Sequence, residues 1–258
     1  KTSFTQILFL CYTLQMSKTQ NFSVIYSDES LLAVSKPSGL LVAQDRYDVD
    51  APRLDLLLSK EFGKLWAVHR IDKDTSGLVI YARTSEAHRA LSMQFQERKV
   101  KKSYLALVYG RPSWEEKKVS TPLLVDGDAR HRTIAHKQLG KESLTEFRMK
   151  GSCGPFSWIE ARPLTGRTHQ IRAHLLDLGF SILCDPLYGG NQKPFFLSDV
   201  KRSYKGDLFE ERPLLSRLAL HACSLEIIDP TTKEKRYFEA PLPKDMDVVR
   251  KQCAKLFK

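Results

Sequence analysis

Apolar and polar positions alternate along the chain in a way that predicts many strands and few helices. The runs Val24–Tyr26 and Leu31–Ser35 flank the turn-forming Ser27-Asp28-Glu29-Ser30 and predict two paired strands. Pro37-Ser38-Gly39 marks a second turn before the apolar Leu40-Leu41-Val42. Residues 53–62 predict a short helix, Leu65–Ile71 a strand, Asp72–Ser76 a polar loop and Gly77–Ala82 another strand. Thr84 or Ser85 is placed to cap the next helix, whose apolar stripe is Ala87, Leu91 and Phe95. Glu86 in its first turn and Arg98-Lys99 at its end suit the helix dipole. Ser103–Tyr109 predicts a strand ended by Gly110, and residues 111–142 are polar without a clear element. Strands follow at Glu146–Met149 and Phe156–Ala161. Thr168–Leu178 predicts a helix with Ile171, Leu175 and Leu178 on one face and Gly179 at its end. A long basic loop over residues 189–217 precedes strands at Leu220–Ile228 and Arg236–Phe238, joined by a turn at Asp229–Lys233. Strands without regular βα alternation predict an α+β fold with a mostly antiparallel sheet.

Composition narrows the partners. The chain has 258 residues, 42% hydrophobic and 28% charged, which supports a packed core rather than disorder. No repeat, linker or low-complexity tract divides it. Lys and Arg total 41 against 30 acids, a formal charge of +11. Such a surface attracts polyanions, so nucleic acid is a natural partner, with an ordinary basic enzyme as the alternative. The five cysteines are widely spaced without a CxxC pair, which suggests neither a zinc site nor a disulfide framework. They read as reduced thiols of a cytosolic protein, most of them buried. The apolar run Ile7–Tyr12 is too short to span a bilayer. Residues 1–21 read as an N-terminal extension, disordered or not native, with Met16 as the candidate start.

The most informative run is His69-Arg70-Ile71-Asp72-Lys73-Asp74-Thr75-Ser76-Gly77. A carboxylate held at the end of a strand beside a cation stays ionised and can act as nucleophile or base. The same residues also make an ordinary surface turn. Asp72-x-Asp74 leaves open a metal-dependent nuclease or phosphatase, although no third ligand cluster accompanies it. No glycine-rich phosphate loop is present.

The run resembles the signature of the RluA-type pseudouridine synthases, His-Arg-Leu-Asp-x-x-Thr-Ser-Gly, with Ile71 at the usual Leu position. Other segments agree in order. Residues 31–39 resemble the family's strand leading to Lys-Pro-x-Gly, and Lys102-Ser103-Tyr104-Leu105-Ala106 its Tyr-containing strand. Thr165-Gly166-Arg167-Thr168-His169-Gln170-Ile171-Arg172-Ala173-His174 resembles its Gly-Arg-x-His-Gln-Ile-Arg motif. Residues 184–189 and Leu220-His221-Ala222 resemble two further segments, so the match spans roughly residues 22–242.

This resemblance implies a pseudouridine synthase fold, a mixed, mostly antiparallel sheet flanked by helices. The catalytic domain would cover residues 22–245, with 246–258 a C-terminal tail. It implies a cytoplasmic, monomeric enzyme that isomerises specific uridines in rRNA or tRNA, with RNA as partner, no membrane, no metal and no cofactor. Asp72 would be the catalytic carboxylate, either adding covalently or removing a ribose proton, the second being preferred. Arg172 would hold Asp72 bidentately, and Tyr104 would stack on the base and assist proton removal at carbon 5. Leu220 would close the pocket, and Arg70 would fill the space of the extruded uridine or meet phosphate. Arg167, His169 and Lys36 would make RNA or structural contacts, and the basic runs Arg98–Lys102 and Lys201–Lys205 would follow the RNA backbone. Asp229-Pro230 departs from the His-Pro of many relatives. RNA selection is expected to come from the catalytic domain itself. A non-catalytic RNA-binding protein on this fold is the remaining alternative, opposed by the intact set of Asp72, Tyr104 and Arg172.

Overall fold

A computed structural model describes residues 22–44, 50–189 and 193–256. The reading of residues 1–21, and Cys11 within it, lies outside the described residues. The predicted α+β architecture is present. β1 (Ser23–Ser27) and β2 (Leu31–Lys36) form a hairpin, and β2 pairs antiparallel with β4 (Ser76–Ala82). The sheet then continues from β4 through β11 (Leu220–Ile228), β5 (Lys101–Tyr109), β10 (Phe156–Pro163) and β9 (Thr145–Cys153) to β6 (Glu116–Val119). β12 (Lys235–Glu239) pairs with β11, and β3 (Trp66–Ala67) with β4. Only the β4–β11 pair is parallel among the described strands. That pairing joins the two halves of the sheet and, as shown below, sits beside the site.

Helices α1 (Leu54–Phe62), α2 (Ser85–Gln96), α3 (Gln170–Asp177) and α4 (Lys244–Leu256) flank the sheet. α2 begins as expected: the Thr84 hydroxyl accepts the Ala87 N–H at 3.1 Å, and Ala87 and Leu91 are buried. Replacing Thr84 with alanine should lower stability by about 1 kcal/mol, read as a shifted urea midpoint. An unchanged midpoint would show that the cap is energetically silent. The α3 stripe also holds, with Ile171 and Leu175 buried, Leu178 packed against the same core and Gly179 at positive φ just past the end.

Four expectations change. The predicted strand Leu65–Ile71 pairs only at Trp66–Ala67, opposite Ala82 and Tyr81. β11 takes the other end of the same β4 edge, at Ser76 and Gly77, and between them the Ile80 N–H donates to the His69 ring at 2.9 Å. A side chain thus replaces the backbone ladder, and the chain leaves the sheet well before Asp72. Leu40-Leu41-Val42 forms no strand; Leu41 makes one isolated bridge, to Arg53. Within residues 111–142 lie β6 and the small hairpin of β7 (Leu123–Leu124) and β8 (Ile134–Ala135). β6 reads Glu-Lys-Lys-Val because it is an edge strand, where charge rather than alternation is favoured.

The fourth change concerns cysteine. Cys153 on β9 and Cys253 on α4 are disulfide-bonded, with Cα atoms 5.1 Å apart, against the expectation of reduced thiols only. One hundred residues separate them, so the pairing arises from the docking of α4 rather than from any sequence spacing. The segment read as a tail is that helix, with Met246 and Val249 fully buried. Cys184 and Cys223 are free. Among the described residues no helix is long and apolar enough to cross a membrane.

Candidate active site

The loop between β3 and β4 carries Asp72 and is fixed from below by the Lys-Pro-x-Gly turn. The Lys36 ammonium, 1% exposed, donates to the carbonyls of Pro37, Leu40 and Lys73 at 2.9, 2.6 and 2.9 Å. The Ser38 hydroxyl donates to the Asp74 carbonyl at 2.6 Å, and the Gly39 N–H to the Lys73 carbonyl at 2.8 Å. Burial holds the Lys36 amine down to about 7. Lys36 is therefore a bracket for the loop rather than an RNA contact. Gly77 has φ +118°, and a Cβ there would run into the Ala222 backbone of β11. Only glycine permits the parallel β4–β11 contact, which gives the Ser-Gly end of the motif its physical reason.

The Asp72 side chain, about one-fifth exposed, meets two groups from the start of α3. Its Oδ2 lies 3.4 Å from Arg172 Nη1 and 4.0 Å from His169 Nε2. The predicted bidentate clamp exists, but its partner is different. Arg172 Nε and Nη2 donate to Asp185 at 2.8 and 2.7 Å, leaving a single longer contact to Asp72. Asp185 is fully buried and also accepts the backbone N–H groups of Leu187 and Tyr188, both at 2.9 Å. Burial opposes the charge on Arg172, and the hydrogen bonds and charge of Asp185 outweigh it, so its pKa is raised. The guanidinium also lies over the Tyr188 ring, 4.9 Å from its centroid. Asp185 is the partner of Arg172 that the sequence reading did not assign. Its signal was its place in the Cys-Asp-Pro-Leu-Tyr-Gly segment, read without a role.

His169 precedes α3 in a left-handed conformation, φ 52°, with Nδ1 3.2 Å from the Tyr188 hydroxyl. Burial lowers its pKa while Asp72 opposes, so the ring is neutral at neutral pH. Gln170 anchors the same turn: its amide donates to the Leu144 carbonyl and the Thr145 hydroxyl, and its oxygen accepts from Arg167 N–H and the Thr165 hydroxyl. His174 bonds the Thr145 hydroxyl and the Thr121 carbonyl. Within the Gly-Arg-x-His-Gln-Ile-Arg segment, Gln170 and His174 thus fix the helix while His169 and Arg172 reach Asp72.

A cavity of about 440 Å³ opens over Asp72. Arg70, Tyr104, Arg167, His169, Arg172 and Leu220 all line it with Asp72, while Lys36 lies outside it beneath the loop. Arg70 is exposed, and Leu220 is buried in the cavity wall. Burial first, and Asp72 second, raise the Tyr104 pKa, so its phenol stays protonated. His69, also in the lining, is held neutral: burial lowers it to about 3 and its ring stacks on Phe95, centroids 4.6 Å apart. The chemistry on offer is one carboxylate, paired with a fixed guanidinium, at the floor of a cleft with an aromatic wall and an excess of cations.

Residues 30–177 match the family model of the RNA pseudouridylate synthases. The chain is 35% identical to the ribosomal large subunit pseudouridine synthase D of Zymomonas mobilis over 238 residues, covering 88% of this chain and 71% of that protein. It is 33% identical to the dual-specificity RNA pseudouridine synthase RluA of Escherichia coli K12 over 219 residues, covering 84% and 92%. Among solved structures, human RNA pseudouridylate synthase domain containing 1 superposes with a TM-score of 0.67 at 26% identity, covering 91% of this chain and 90% of that one.

Proposed function

The chain belongs to the RNA pseudouridylate synthase family, as an RluA-type member, and on that premise we propose that it isomerises uridine in RNA to pseudouridine with Asp72 as the catalytic carboxylate. The observation that carries the residue assignment is the carboxylate itself: among the described residues Asp72 is the one acid lining the cavity, against five lysine and arginine side chains. Ribosomal RNA is the favoured substrate, since a relative acting on the large ribosomal subunit matches most of the chain. Transfer RNA stands as the second class.

In this reading the target uridine leaves its stack and enters the cavity, with Arg70 from the exposed rim occupying the vacated space. Asp72 removes a proton from the ribose carbon next to the anomeric carbon. The freed electron pair forms a ring double bond, and the bond to uracil nitrogen 1 breaks with its pair staying on the base. The uracil anion turns and its carbon 5 attacks the anomeric carbon. The ribose carbon regains its proton, the carbon 5 proton is lost and nitrogen 1 is protonated, so no electron is gained or lost overall. Tyr104 offers a stacking face and, being protonated, a hydrogen-bond donor; that state argues against a phenolate taking the carbon 5 proton. Leu220 closes the opposite wall. Arg172, beside Asp72, supplies positive charge that holds the departing uracil anion until it has turned.

The test is release of tritium to water from RNA labelled at uracil carbon 5, using RNA made without its normal modifications. Release by the wild-type protein, at most one equivalent per modified site, is expected. Folded protein that releases none from either ribosomal or transfer RNA would overturn the assignment and favour a non-catalytic RNA-binding role.

A further inference from the structure

One cation in the cavity wall is not used by the chemistry above. Lys102 and Tyr104 both line the cavity. They are two residues apart on β5, which places them on one face of the strand about 6.6 Å apart. Lys102 is mostly buried. Among the described residues its ammonium pairs with no carboxylate, and its one hydrogen bond is a 3.3 Å contact to the Thr165 carbonyl. The neighbouring cations differ. Arg172 is committed to Asp185 and Asp72, and Arg98 to the Glu142 carboxylate at 3.2 Å. Arg167 donates to the Glu142 carbonyl at 3.2 Å. Space is open beside Lys102: a Cβ built on Gly166 meets nothing nearer than the Lys102 nitrogen, at 3.9 Å.

A buried ammonium without an anion is unfavourable, because the lost hydration is not replaced. Burial accordingly holds this amine down to about 8. An incoming anion would supply the missing partner and restore the full charge. The substrate proposed above carries a phosphate at every nucleotide, and those flanking a flipped uridine must pass the mouth of this cavity. The base itself belongs over Tyr104, nearer Asp72.

We propose that Lys102, with the open space over Gly166 and the adjacent Arg167, is a binding subsite for an RNA phosphodiester next to the target uridine. This rests on the pseudouridine synthase reading. The subsite holds the strand while the base is out of its stack. It contacts the backbone rather than the base, so it contributes to binding equally in ground and transition states and leaves the chemical step alone.

The experiment measures RNA affinity against salt, and tritium release, for Lys102→Met and Lys102→Arg. Lys102→Met should weaken binding about tenfold, as expected for loss of a hydrogen bond to a charged group. Its slope of log affinity on log salt should become shallower by about 0.7, the value for one lost phosphate contact on a single strand. KM should rise with kcat nearly unchanged, and Lys102→Arg should recover most of the loss. A fall in kcat with affinity and salt slope unchanged would overturn the proposal, since it would place Lys102 on the base or the reacting atoms. No change in any quantity would overturn it as well. Should the Met variant unfold, Lys102→Gln is read in the same way. Absence of tritium release from the wild type would count against the enzymatic reading alone, because the salt slope of binding still reports on the subsite.

Discussion

Replacing Asp72 with asparagine is expected to reduce tritium release on the order of 1000-fold while leaving the protein folded and bound to RNA, since general-base contributions span about 10²–10⁴. The change is isosteric and deletes the charge and, with it, the basicity. The fold should tolerate it for two reasons. Asp72 is about one-fifth exposed, so its charge is partly solvated, and Arg172 keeps its main partner in Asp185. The single 3.4 Å contact to Arg172 is worth at most about 1 kcal/mol of stability in such a setting. RNA affinity should hold or rise slightly, because removing an anion from a cleft walled by Arg70, Lys102 and Arg167 lowers the repulsion felt by phosphate. Single-turnover release and direct binding measured on the same preparation separate these effects. A variant with full release would exclude Asp72 as the base. Lost release together with lost binding would make it a structural residue.

The sequence located Asp72 and its surroundings better than it located the interactions that hold them. Tyr104, Arg167, His169, Arg172 and Leu220 could be placed because each lies in a segment resembling the family's, and all reach the cavity. What the chain could not disclose was pairing across space. Arg172 was expected to grip Asp72 bidentately, yet Asp185, thirteen residues on, takes its Nε and Nη2 and leaves only Nη1 to Asp72. Lys36 was a candidate for an RNA or a structural contact; burial beneath the loop, with three carbonyls around it, decides for the structural one. Periodicity also failed where side chains replace backbone. His69 looked like part of a strand because its neighbours Val68 and Ile71 are apolar, but its ring occupies the ladder position at Ile80. β6 escaped notice for the converse reason: three of its four side chains are exposed charges, and it pairs with β9 through backbone and the ion pairs Lys118–Glu146 and Arg148–Glu116. The Cys153–Cys253 bond depends on where α4 docks, which no local pattern records.

The second large effect is expected at Asp185, which touches no substrate in the proposed reaction. Asp185→Asn should destabilise the protein by about 3–5 kcal/mol, the range for removing one partner of a buried ion pair. Arg172 is 3% exposed and cannot recover its hydration by turning to solvent. The amide that replaces Oδ1 or Oδ2 would present N–H to N–H, either at the guanidinium or at the backbone of Leu187 and Tyr188. Activity should fall beyond what the unfolded fraction explains. Arg172 would then be free to swing fully onto Asp72, lowering the basicity of the carboxylate, or to leave it. Asp185 is thus a positioning residue, acting on the carboxylate through Arg172. A urea midpoint and a kcat measured well below that midpoint read the two effects separately. The double variant Asp185→Leu with Arg172→Met removes the orphaned charge. It should regain part of the stability lost in Asp185→Asn, because an apolar pair of similar volume replaces a buried ion pair at little net loss. It should nevertheless remain catalytically impaired, since no guanidinium then stands beside Asp72. Recovery of stability without recovery of kcat is the signature of a pair kept for the geometry of the carboxylate. A double variant as active as the wild type would show that the Arg172–Asp185 pair serves the fold alone.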